Sequence, residues 1–174
     1  MLSLELLKRV LEGKRFNVAV VLERDNKIID IILGENIVTD AGDKYYAQKA
    51  CGESPTDAFD RMFLASAGPA TPAKTDTRNL FTDISGSEKA KTALYPKTAD
   101  ADSDNTGAGV DVISWLFSYA TGDGDWSGIT HAYVTKATPG ANEVLLASIK
   151  FAASWAKDSN TSAKVFVNHT ENGV

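Results

Sequence analysis

Residues 144–155 read Val-Leu-Leu-Ala-Ser-Ile-Lys-Phe-Ala-Ala-Ser-Trp, and this stretch decides the fold class. Leu145, Ala147, Ile149, Phe151, Ala153 and Trp155 share one side of an extended chain, with Ser148, Lys150 and Ser154 on the other. Side chains alternate between faces along a strand, so this period predicts one buried and one wet face, as in an antiparallel sheet. Upstream, Ile113, Trp115, Phe117 and Tyr119 alternate with Val112, Ser114, Leu116 and Ser118. That aromatic row is wide enough to need a second sheet over it. Further strands are expected at 59–65, 129–135 and 163–168, with weaker ones at 80–84 and 91–95. Between 122 and 128 the sequence is a glycine-rich turn with Trp126 as its anchor. Regular strands separated by turn signals predict a mainly β protein: an antiparallel β-sandwich or jelly-roll-like domain.

The first third of the chain has a different pattern. Leu4, Leu7 and Leu11 share one helical stripe, while Glu5, Lys8, Arg9 and Glu12 take the opposite side and Gly13 stops the run. A helix of about three turns is marginal alone, so its Leu face must dock on its own domain or on a neighbouring chain. Leu4, Leu7 and Leu11 are therefore the candidate interface residues. Residues 16–22 and 28–33, rich in Val and Ile, flank the polar turn 23–27 and predict a hairpin. A short run at 36–38 leads to Thr39-Asp40, an N-cap for a second short helix through about Ala50. The expected organisation is an arm, hairpin and helix over 1–58 and a β-sandwich over 59–174, packed as one compact unit.

Composition narrows the function. With 174 residues, 43% hydrophobic and 24% charged, the chain is long enough for a sizeable core without a disulfide or metal staple. Its net charge of −5 and thinly spread basic residues argue against a nucleic-acid partner. Cys51 is the single cysteine, so no internal disulfide forms. The apolar start is interrupted by charge and has neither the roughly 7–15 apolar residues of a signal peptide nor the ~20 of a membrane span. The expectation is a protein made and kept in a cytoplasm unless an assembly carries it out, with no membrane partner.

One stretch suggests a ligand. Asp100, Asp102, Asp104 and Asp111 occupy the first, third, fifth and twelfth places of a calcium-loop spacing. Asn105 stands at the turn glycine's place, and strands rather than paired helices flank the loop, so a solvated polar loop is the competing reading. Parts for catalysis are missing. His131 reads as a strand histidine and His169 as part of the C-terminal tail, with no nucleophile elbow or phosphate loop beside them. The Asn160 and Asn168 sequons lack a secretion signal. Trp115 and Trp155 fall on apolar strand faces and are expected in the core rather than in a sugar-binding platform.

Two stretches resemble a known family. Asn36-Ile-Val-Thr39-Asp-Ala-Gly42 opens a helix; Phe63-Leu-Ala-Ser-Ala-Gly68 follows, then Pro69, Pro72, Thr75-Asp76-Thr77 and Leu80. Together they resemble segments of tailed-bacteriophage virion structural proteins. Ser66-Ala67 departs from the usual Gly-x-Gly turn, and a long fibre shaft is lacking. The resemblance implies a non-enzymatic virion protein, a homo-oligomer whose partners are the major capsid protein or tail proteins. A compact acidic β domain with a helical arm suits a head decoration or cement protein. A tail-fibre, collar or baseplate module, or a carbohydrate- or calcium-binding module, are the alternatives.

Overall fold

The computed structural model describes residues 17–55, 57–99 and 112–170. The expected N-terminal helix with Leu4, Leu7 and Leu11, and the acidic loop with Asp100, Asp102, Asp104 and Asp111, lie outside the described residues. Within them the chain is mainly β. The strands are β1 (Val18–Arg24), β2 (Lys27–Val38), β3 (Arg61–Ala67), β4 (Thr82–Asp83), β5 (Lys89–Ala90), β6 (Lys97–Ala99), β7 (Val112–Tyr119), β8 (Trp126–Thr135), β9 (Ala147–Lys157) and β10 (Ser162–Thr170). One helix, α1 (Asp40–Ala50), follows β2.

All ten strands belong to a single antiparallel sheet, in the order β4-β3-β8-β9-β2-β1-β10-β7-β6 with β5 also on β3. The hairpin β1–β2 sits in the middle, between β10 and β9, so the described parts of 1–58 and 59–174 share one sheet. Its turn is a two-residue link, and Asp25 and Asn26 both adopt positive φ, the backbone hand that matches the twist of the strands. The run expected at 36–38 is the continuation of β2 rather than a third strand.

The sheet curls into a half-barrel, which is consistent with the β-sandwich-like class expected from the sequence. Residues 89–92 reach across the open side. Lys91 N donates to Asp60 O beside β3, and Thr92 N donates to Leu116 O on β7. A strand expected at 91–95 is thus a short bridge instead. It pairs with β3 and, through Lys91, with Phe117 of β7, but is too brief to continue along either.

The concave face carries the expected aromatic row. Trp115, Phe117 and Tyr119 are fully buried beside Val165, Val167, Met62 and Ile149. Each such side chain contributes about 1.5–3 kcal/mol by leaving water, which makes this row the main source of stability. A second, smaller cluster lies on the outward face of β3 and β8: Phe63, Tyr133, Phe81, Ala65 and Leu145. Phe63 and Tyr133 stack with centroids 5.3 Å apart, and Phe81 lies over Tyr133 at 4.8 Å. The cover comes from the Gly/Pro loop between β3 and β4. Where a strand was expected at 80–84, the loop makes a 3-10 turn, Arg78–Leu80, and a two-residue strand.

This cover changes the reading of the decisive stretch. Ser148, expected to face water, is completely buried because the loop lies over it. Leu145 and Ala147, expected on one face, go to different clusters, since the phase of alternation breaks where β9 begins. Ala153 is exposed.

Candidate functional site: a clasp around residues 143–148

The two stretches that carry the family resemblance meet in space. Thr39 caps α1: its Oγ1 accepts from Gly42 N at 3.2 Å and donates to Leu145 O. Thr39 N donates to Leu146 O at 3.1 Å. A β-region residue with a hydroxyl is what a helix N-terminus needs, and here the same hydroxyl also ties down a second chain segment. Gly42 sits against that segment. A Cβ there would run into Leu146 O and come within 2.7 Å of Val38 Cγ1.

The second stretch grips the same backbone from the loop side. The Asp76 carboxylate, 6% exposed, accepts from Ser148 Oγ at 2.6 Å and from Ala73 N at 2.9 Å. Thr77 pairs with Val144, and Arg78 N donates to Glu143 O at 3.0 Å. Asp40 N donates to Lys74 O at 3.0 Å, which joins the helix to the loop. Residues 143–148 are thereby held by α1, by the loop and by β8, from which Thr135 Oγ1 donates to Val144 O.

An outward network locks the loop further. Arg78 donates to Asp83 at 2.7 Å, to Tyr133 Oη at 3.1 Å and to Pro139 O at 3.0 Å, while Tyr133 Oη donates to Asp83 at 2.8 Å. The Asp83 and Tyr133 bonds raise the Arg78 pKa, and burial raises that of Tyr133. Every polar atom of this triad is engaged in holding the loop.

Asp76→Ala tests the clasp directly. It leaves the buried Ser148 hydroxyl and the Ala73 amide without their acceptor, so a loss of about 2–3 kcal/mol in urea unfolding is expected. A loss below about 0.5 kcal/mol would mean the carboxylate is idle.

The titratable residues singled out from sequence serve the architecture. His131 is a strand histidine as expected, 8% exposed, with Nε2 3.1 Å from Pro69 O and Nδ1 2.8 Å from Thr130 Oγ1. Burial lowers its pKa. His169 is no tail residue. It extends β10 opposite Ile113, is 3% exposed, and sits under α1, where Tyr46 Oη bonds to its Nδ1. Trp115 Nε1 donates to the same Tyr46 oxygen at 2.7 Å. Tyr46 Oη therefore takes the indole proton and also shares a hydrogen bond with His169 Nδ1, which joins α1, β7 and β10 at one point. Burial drives the pKa of His169 down to about 4, against the attraction of Asp43.

At the opposite end, Lys157 is buried and donates to Gly124 O and Asp158 O at 3.3 and 3.2 Å, with its ammonium 5.5 Å from the Trp126 ring centre. Trp126 does anchor the glycine turn, since a Cβ on Gly124 would fall 2.5 Å from its ring. Asp123 is engaged by Lys89 and by Ala120 N. Cys51 is exposed at the end of α1. Trp115 and Trp155 are in the core as expected. Among the described residues, no group of three His, Cys, Asp or Glu side chains is placed to hold a metal ion, and no helix is long and apolar enough to cross a membrane.

Sequence reading identified Thr39 as a cap and Gly42 and Asp76 as motif residues, but not what they hold. Their partners lie far along the chain; Thr39 and Leu145 are 106 residues apart. The chain matches no family model, no curated protein and no solved structure.

Proposed function

We propose that this chain is a non-enzymatic structural component of a tailed-phage virion, a capsid decoration or cement protein that stabilises the head through protein–protein contacts. One observation carries the reading. The residues that resemble the virion proteins, Thr39, Gly42, Asp76 and Thr77, all converge on residues 143–148 and are used there for backbone clasping, not for chemistry. A protein that works by bearing load needs its loop and helix fixed to its sheet in this way.

The surface supports an adhesive role. Leu94 is 91% exposed at the tip of the segment between β5 and β6, with φ of +72°. A bulky residue in that backbone region is uncommon and is held by its surroundings. Tyr95 N donates to Thr92 O, and Lys91 Nζ donates to Tyr95 O, so the tip is braced. It presents an apolar knob for a neighbouring chain to cover. In this reading Leu4, Leu7 and Leu11 supply a second contact, the chain is a homo-oligomer on the particle surface, and it is made in the host cytoplasm. The acidic loop then needs no calcium.

Electron microscopy of particles carrying an epitope-tagged copy tests the assignment. Label arrayed over the head is the expected result. Label confined to the tail would replace the cement role by a collar, fibre or baseplate role, and unlabelled particles would overturn the virion reading.

A further inference from the structure

β2 lies in the middle of the sheet, yet half of it has a partner on one side only. β1 pairs with β2 from Lys27 to Gly34, whereas β9 pairs with its other side only over Gly34–Val38. Among the described residues, no strand runs along the remaining edge, Lys27–Leu33. The cause lies in β9. His131 and Ile129 are neighbours but one on β8, while their partners Lys150 and Trp155 stand much further apart on β9. The surplus chain bulges outward there, with Ala152, Ala153 and Ser154 all exposed. Such a bulge bends a strand away from its neighbour, and the edge of β2 is left uncovered beside it.

This edge has the composition of a pairing strand. Ile28, Ile29, Ile31, Ile32 and Leu33 surround a single Asp30, and Ile29 is 47% exposed. An open edge of β-branched residues is a template for another chain. Antiparallel pairing with a second copy, about a two-fold axis at residue 30, sets Ile29 against Ile31 and Ile28 against Ile32. At the centre of that pairing Asp30 meets Asp30, and like charges directly opposite each other oppose it. Asp30 also acts within its own chain, where Oδ1 accepts from Ile31 N at 2.8 Å on the exposed surface. Strand addition needs the backbone donors of this stretch, and one of them is already occupied. The edge is irregular as well. Glu23 pairs with Ile28 and Leu22 with Asp30, which leaves Ile29 as the extra residue of a bulge.

We propose that the edge Lys27–Leu33 is a pairing surface for a second copy of this chain, and that Asp30 keeps it closed. The four isoleucines complement themselves across the two-fold axis, which is why the occupant is another copy rather than an unrelated strand. Only Asp30 opposes the match. Its carboxylate repels its counterpart, holds the Ile31 amide, and must leave water before the strands meet. A single charged residue in a run of β-formers thus separates a free chain from an assembled one. This inference stands apart from the virion reading, since it concerns the association of the chain with itself in solution.

Sedimentation of the purified full chain beside its Asp30→Ala variant tests it. Asp30 is exposed, so the variant should keep the far-ultraviolet circular dichroism of the sheet. Its mass should rise at least about twofold over that of the unaltered chain at the same concentration. Amide exchange across residues 28–33 should slow at least about tenfold as its concentration rises. Combining Asp30→Ala with Ile29→Lys returns a charge to the same edge and should restore the mass of the unaltered chain. Equal masses for Asp30→Ala and the unaltered chain would overturn the proposal. So would a larger mass without protection of residues 28–33, or one that survives Ile29→Lys, since either puts the contact elsewhere. Should Asp30→Ala precipitate, the double variant decides: a soluble chain of unaltered mass supports the proposal, and continued precipitation overturns it. The tagged-particle experiment reads the virion assignment separately.

Discussion

Gly42→Ala is expected to destabilise the protein by about 3 kcal/mol, the upper end of what forced packing usually costs. Two effects compete at this position. Alanine is the better helix former by about 1 kcal/mol in a helix interior, and Gly42 lies in the first turn of α1, so propensity alone predicts a gain. The added methyl, however, meets the Leu146 carbonyl oxygen and lies 2.7 Å from Val38 Cγ1. The first obstacle is backbone, fixed by its bond to Thr39 N and by β8 through Leu146 N to Val134 O. Relief requires α1 to move away from residues 143–148, which breaks the Thr39 and Asp40 bonds together. Steric cost therefore wins, and equilibrium urea unfolding should show it. Gly42→Ser should behave in the same way. A stabilised Gly42→Ala protein would show that α1 is not held against residues 143–148.

Acid should weaken the fold well above the pH at which carboxylates titrate. His169 is neutral and buried, with its folded pKa near 4 against an ordinary value of about 6.5. The unfolded chain therefore takes up a proton before the folded one does. Stability from this residue is complete above about pH 6.5, falls as pH drops towards 4, and falls no further below that. The full difference is about 3 kcal/mol, of which roughly 2 is gone by about pH 5. His131, whose pKa burial also lowers, acts in the same direction. Asp123, Asp158 and Glu143 have lowered pKa values, so their losses begin only below about pH 4.5 and do not confuse the window. Unfolding free energies at about pH 7.5 and 5 give the size of the effect. The imidazole resonances of His169, followed through the same range, assign it. Titration of that ring near its ordinary value would mean that α1 does not seal it from water.

The legible parts of the fold were those governed by neighbours in sequence. The row Trp115, Phe117, Tyr119 declared its burial by period alone. The polar stretch 23–27 marks a turn between two Val/Ile runs, which the structure narrows to Asp25-Asn26, and Thr39 marks a helix start. What could not be read depended on segments far apart. Ser148 has the spacing of a wet residue and becomes buried only because Asp76 and its loop lie over it. His169 reads as a tail residue because nothing local shows that Ile113 will pair with it or that Tyr46 will descend on it. The bridge at 89–92 joins β3 to β7 through two backbone bonds, and backbone bonds leave no trace in side-chain pattern. For the site, the motif residues were visible, but their shared target at residues 143–148 was not.

The role proposed for this clasped, curled sheet is to stabilise a particle by covering its neighbours. Thermal challenge of heads assembled with and without the chain measures that most directly. Heads lacking it are expected to release DNA at a lower temperature, and adding back the purified chain is expected to restore the higher one. Heads that release DNA at the same temperature with and without the chain would contradict it.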